Sequence, residues 1–185
     1  FTPNGTGYNM HPHHNFIIMA FVLSGALTHI NTIGKVDELR KDDYYVFSAG
    51  SGGKHSELNI GEEDLHVIYV WILPDHLLTP PSYLRSRFDR KAGSNRITSL
   101  VGKEKDALPI GQNFKVSRLL SEADREHVWQ VSSGNGLYAF VLEGEADIAD
   151  HRLGRRDSIG LESEERVKIT ARAADTDLLL VETAL

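Results

Sequence analysis

Apolar residues in this chain come in short runs, and each run is cut off by glycine, proline or a polar turn after about 8–12 residues. "FIIMAFVL" (16–23) stops at Ser24-Gly25, "ALTHINTI" (26–33) at Gly34, "YYVFSAG" (44–50) in a glycine cluster and "LHVIYVWIL" (65–73) at Pro74. The pattern resumes with "FKVSRLL" (114–120), "HVWQVSS" (127–133), "LYAFVLEG" (137–144), "EADIAD" (145–150), "RVKITAR" (166–172) and "TDLLLVETAL" (176–185). These runs are rich in β-branched and aromatic residues, and several alternate with a period of two. They predict an all-β protein built of sandwiches or barrels. The one helix-start signal is "SEADRE" (121–126), where Ser121 is expected to cap a single turn.

Two halves share one pattern. "FVLSGALTHI" (21–30) and "FVLEGEADIA" (140–149) each show an aromatic residue, two aliphatics, a polar residue, glycine and an alternating strand. A repeat at roughly 119 residues within a 185-residue chain means two copies of one domain type, not a solenoid. The expected architecture is two β-barrels in tandem: residues 1–76, a linker over 77–95 and a second barrel over 96–185. Three prolines and scattered charge in "PDHLLTPPSYLRSRFDRKAGSN" (74–95) suggest the linker.

Charge and composition exclude several functions. With 20 basic against 26 acidic residues the formal charge is -6, and no basic cluster is denser than "LGRRD" (153–157), so no direct nucleic-acid binding is expected. Cysteine is absent, which excludes thiolate and iron–sulfur chemistry and suits a cytoplasmic protein. The longest apolar run, Phe16 to Leu23, falls far short of the roughly 20 residues of a spanning helix, so no membrane association is expected.

Chemistry concentrates in two stretches, "HPHH" (11–14) and "GSGGKHSELN" (50–59). His11 and His13 are spaced i, i+2, as are His55 and Glu57, and in a strand that spacing puts both members of a pair on one face. Two such pairs on neighbouring strands converge three imidazoles and one carboxylate, a donor set for Fe, Mn, Ni, Cu or Zn. Either pair alone is more often a polar strand edge than half of a metal site. The remaining histidines, His14, His29, His66, His76, His127 and His151, are read as structural or solvent-facing, and Trp71 and Trp129 as core or barrel-rim residues.

"HPHHNFIIMAFVLSGALTH" followed by "DDYYVFSAGSGGKHSELN" resembles the two metal motifs of the pirin family, and "LHVIYVWILPD" resembles the strand closing its first domain. The likeness is strong through about residue 88, looser beyond, and closest to the bacterial quercetin 2,3-dioxygenase-like branch. It implies a bicupin, two jelly-roll-like barrels with one divalent metal, iron foremost, in the first. The ligand roles fall on His11, His13, His55 and Glu57. It further implies O2-dependent cleavage of a flavonol such as quercetin, with Glu57 as ligand and general base. Two alternatives stay open: a metal-dependent redox-sensing co-regulator that binds a protein partner, and a metal-free relic.

The chain departs from the pattern in three places. Ile17 stands where the family usually has Glu, and Gly53 where it prefers an aliphatic residue or arginine, which is expected to loosen that loop. Only ten residues precede His11, fewer than in the family, so the first barrel is expected to be shortened, with an exposed sheet edge through which copies of the chain could associate. The second half has single histidines at 127 and 151 and no counterpart of the ligand pairs.

Overall fold

The computed structural model describes residues 1–185 and contains strands and turns but no helix. It divides into two compact units, Phe1–Phe88 and Asp89–Leu185.

The first unit holds β1 (Thr6–His13), β2 (Ile17–Ser24), β3 (Ala26–Asn31), β4 (Lys35–Arg40), β5 (Asp43–Ser48), β6 (Gly53–Asn59), β7 (His66–Ile72) and β8 (Ser82–Arg87). They form two four-stranded antiparallel sheets, ordered β1-β6-β3-β4 and β7-β2-β5-β8. Ile18, Ala20, Val22, Tyr45 and Phe47 from one sheet pack with Leu27 and Leu39 from the other. Leu27, Leu39 and Phe47 are fully buried, each worth about 1.5–3 kcal/mol of hydrophobic stabilisation.

The second unit repeats this plan with β9 (Arg96–Gly102), β10 (Leu108–Pro109), β11 (Phe114–Ser121), β12 (Glu126–Gln130), β13 (Asn135–Glu143), β14 (Ala146–Ile148), β15 (His151–Leu153), β16 (Ser158–Leu161), β17 (Arg166–Ala171) and β18 (Thr176–Ala184). Its sheets run β12-β17-β14-β15 and β11-β18-β13-β16, with β10 pairing parallel to β9. Both units are two-sheet antiparallel sandwiches, the tandem arrangement expected of a bicupin.

The internal repeat has a structural cause. Gly25 and Gly144 both have positive φ, 76° and 80°, and a Cβ on either would sit within 2.9 Å of backbone atoms of Asp64–Leu65 or Thr176. At each of these positions the chain turns sharply beneath a crossing strand, and only glycine fits. Just before each glycine the ladder shifts register, between Val22 and Ser24 and between Val141 and Glu143.

Two expectations are corrected. Ser82–Arg87, inside the stretch read as a linker, forms β8 and pairs along its whole length with β5; Pro80 and Pro81 precede the strand, where they cost no ladder bond. No helical turn forms at Ser121: its Oγ lies 2.8 Å from His127 Nε2 and donates to the Glu122 carbonyl, and the chain passes through a turn to β12. Each sheet of the first unit has four strands, and β1, β4, β7 and β8 are edge strands. No helix is long and apolar enough to cross a membrane.

Candidate metal centre

The site is built on β1 and β6. These strands pair antiparallel with His11 opposite His55 and His13 opposite Gly53, then shift register so that Tyr8 lies opposite Glu57. The shift is a bulge in β1, three residue steps against two in β6, and bulges re-aim side chains next to functional sites. The His11 ring nitrogen Nδ1 lies 2.8 Å from the carbonyl of Asn9, inside that bulge, which leaves Nε2 free. Gly53, expected to loosen its loop, instead packs tightly: a Cβ there would come within 2.8 Å of the Phe47 ring.

The two i, i+2 pairs, His11 with His13 and His55 with Glu57, project inward as the strand period requires. One donor nitrogen from each of His11, His13 and His55 lies within 4.8 Å of the others. Glu57 stands beside this group with Oε2 3.9 Å from His55 Nε2. His13 Nε2 and His55 Nε2 are buried without a hydrogen-bond partner. A buried, unpaired polar atom costs about 1–3 kcal/mol, and two of them in one cluster of three imidazoles fit a cation that would satisfy both. His14, off the ligand register, is exposed and carries only a hydrogen bond with the Asn15 amide.

Electrostatics keep the donors available. Burial lowers His55 to about 3, with His29, His11 and His13 adding to the effect, and burial with the neighbouring His11 also lowers His13. Both imidazoles are neutral at physiological pH, the form that binds a metal. Burial pushes the Glu57 carboxyl up, opposed by hydrogen bonds from Tyr45 and Tyr69 and by His11. Burial and the Glu57 charge raise both phenols, so each tyrosine stays protonated and donates to the carboxylate. Tyr45 donates a hydrogen bond to Oε1, and Oε2 is the oxygen at 3.9 Å from His55 Nε2.

His29, read from sequence as structural or solvent-facing, takes the first of those places. It is fully buried, and its Nε2 lies 3.0 Å from His55 Nδ1. Burial lowers it to about 4, partly opposed by Asp37. The Tyr83 ring stacks on it at 4.9 Å and 7°, and the Tyr45 ring lies at 4.4 Å. The signal for His29 was present in "ALTHIN", where Leu27, His29 and Asn31 share the inward face and two of the three are polar. Tyr45 and Tyr69 carried no signal of their own, because strand alternation says which face a residue takes and not what lies across from it. Trp71 is 53% exposed at the rim, edge-on to His13 at 5.0 Å and beside Phe16.

Both halves of the chain are similar to known proteins. The sequence profile of the Pirin family matches residues 2–72, and that of the quercetinase C-terminal cupin domain matches residues 97–183. The pirin-like protein of Caulobacter vibrioides is 30% identical over 185 residues, spanning 98% of this chain and 79% of that protein. The quercetin 2,3-dioxygenase of Escherichia coli is 27% identical over 177 residues, 95% of this chain and 76% of the relative. Among solved structures, the bacterial pirin YhhW of Escherichia coli in complex with nickel(II) superposes with a TM-score of 0.91 at 24% identity, covering 98% of this chain and 78% of that one.

Proposed function

The chain belongs to the pirin family, and from that premise we propose that it holds one divalent transition metal through His11, His13, His55 and Glu57 and cleaves a flavonol such as quercetin with O2. The observation that carries the reading is the convergence of one nitrogen from each of three imidazoles within 4.8 Å, in a cluster where His13 Nε2 and His55 Nε2 are buried without a hydrogen-bond partner. Three imidazoles and one carboxylate suit iron, which the family resemblance puts foremost, and also nickel, which the YhhW structure contains, copper, manganese or zinc. A metal bound there supplies Lewis acidity that favours the ionised form of an enol hydroxyl and brings the electron-rich ring and O2 together.

The protein's own groups do the rest. Tyr45 pins Glu57 Oε1, so Oε2 is the oxygen that faces the donors and takes the proton of the flavonol 3-hydroxyl. Burial raises the carboxyl toward the range where it can accept that proton and release it again. Trp71, with Phe16 behind it, gives the mouth of the site an aromatic wall suited to a planar substrate. The test is O2 consumption with quercetin by the metal-loaded protein: turnover supports the reading. A metal-loaded protein that consumes no O2 would overturn the enzyme reading in favour of a co-regulator.

A further inference from the structure

His55 differs from the other two histidines in where its second nitrogen goes. A neutral imidazole carries one N–H, so a ring that gives its Nε2 lone pair to a metal must hold its proton on Nδ1 and needs an acceptor there. For His11, on an edge strand, the carbonyl of Asn9 in the bulge lies 2.8 Å from Nδ1. His55 is on β6, which is paired on one side with β1 and on the other with β3, so the neighbouring backbone carbonyls are committed to the ladder. Its Nδ1 instead meets His29 Nε2 at 3.0 Å, while its Nε2 is buried and without a partner.

We propose that His29 is a positioning residue that fixes the tautomer and ring orientation of His55 for metal binding, an inference that rests on the metal reading above. With Nε2 of His55 turned to a metal, the His55–His29 hydrogen bond can run in only one direction: His55 Nδ1–H donates and His29 Nε2 accepts. The His29 ring cannot swing away, because Tyr83 stacks on it at 4.9 Å and Tyr45 lies at 4.4 Å.

The second unit supplies an internal control. At the matching place in the repeat, β14 carries Ile148 opposite Ile169 on β17, where β3 carries His29 opposite Glu57 on β6. Ile148 is fully buried, as His29 is. The sandwich therefore requires only a buried side chain at this position, and an aliphatic one serves in the unit without metal ligands. His29 Nδ1, by contrast, is buried with no hydrogen-bond partner, a poor choice for packing alone.

Two substitutions in the full chain, His29→Ile and His29→Gln, separate positioning from packing. Metal-free protein is titrated with Ni(II), and its melting temperature is recorded alongside. His29→Ile removes one buried unpaired nitrogen and leaves another at His55 Nδ1, so it should melt close to the wild-type temperature yet bind Ni(II) about 10–100-fold more weakly, the usual effect of removing a partner of a ligating histidine. His29→Gln, which restores an acceptor near the same place, should recover most of that loss. Nitrogen-detected NMR of Zn(II)-loaded wild type gives a readout that needs no variant: His55 should be protonated at Nδ1 and His29 at the nitrogen away from it. Wild-type affinity in His29→Ile, or His55 bound to zinc through Nδ1, would overturn the proposal while leaving the metal site standing. A wild type that binds neither ion would overturn both.

Discussion

The two units are the same sandwich with different interiors. In the first, the inward row of one sheet reads His11, His13, His55, Glu57 and His29; in the second, the matching register positions hold Trp129, Val131, Val167, Ile169 and Ile148. Val167, Ile169 and Ile148 are buried and belong to one hydrophobic cluster with Leu119, Leu178 and Leu180. The fold is served equally well by either row, so the polar row of the first unit is an addition that the architecture does not need. It carries buried nitrogens without partners at His13, His29 and His55, whereas Glu182, a buried carboxylate of the second unit, accepts hydrogen bonds from Trp129 Nε1, the Ser132 amide and Asn135 Nδ2. A fully satisfied polar cluster is structural; one that leaves donors' lone pairs facing a common point is waiting for a ligand.

The comparison can be broken most severely at Glu57. Glu57→Gln keeps the size and one oxygen but removes charge and basicity, and turnover of quercetin by the metal-loaded protein should fall on the order of 10²–10⁴-fold. Steady-state O2 consumption checks this, and full activity would remove Glu57 as the base. His55→Val, which copies Val167 into the first unit, should weaken metal binding by about 10²–10³-fold, one ligand's share of the roughly 10–16 kcal/mol that a four-ligand site can gain. The metal-free variant loses the unpaired His55 Nε2 but also the His29 hydrogen bond, so its unfolding free energy should change by no more than about 1–3 kcal/mol.

Acid should separate the units by pH. His29 and His55 are held below their ordinary 6.5, at about 4 and about 3, so the unfolded chain binds more protons than the folded one below 6.5. Stability of the metal-free first unit therefore falls as pH drops from 6.5 toward 4, by on the order of 3 kcal/mol from His29 alone. In the second unit Glu104, Glu143 and Glu182 are lowered from 4.5, so their contribution is present above 4.5 and is lost only as pH falls below it. His127, half-buried and also lowered, adds a smaller loss near the histidine range. Hydrogen exchange of peptides from each unit should show the first loosening at the higher pH. The smallest effect is expected at the Ser121–His127 hydrogen bond: His127→Ala should cost about 0.5–1.5 kcal/mol in thermal or denaturant unfolding and leave metal binding unchanged.

How far the sequence revealed this difference depends on the kind of residue. Strands with long apolar runs, such as β2 and β18, were legible from composition alone, and the i, i+2 pairs were legible because strand period alone places their side chains on one face. β1 was not legible as a strand by hydrophobicity: "TGYNMHPH" is exposed along most of its length and is held by its ladder to β6. β8 was hidden for a similar reason, since "SYLRSR" is polar, follows two prolines and is defined by its pairing with β5. His29, Tyr45 and Tyr69 act through cross-strand and cross-sheet neighbours, and that register is a tertiary fact which no local period encodes. The helical turn anticipated at Ser121 failed because a side chain that could have capped a helix is used by His127 instead.

The central claim is that the inward polar row of the first unit exists to hold one metal ion. The direct measurement is titration of metal-free wild-type protein with Fe(II) under anaerobic conditions, with Ni(II) as an air-stable second probe. The account predicts saturation at one ion per chain, weakened about 10²–10³-fold in His55→Val and untouched in His127→Ala. A wild-type protein that takes up neither ion, or takes it up unchanged when His55 is replaced, would contradict it.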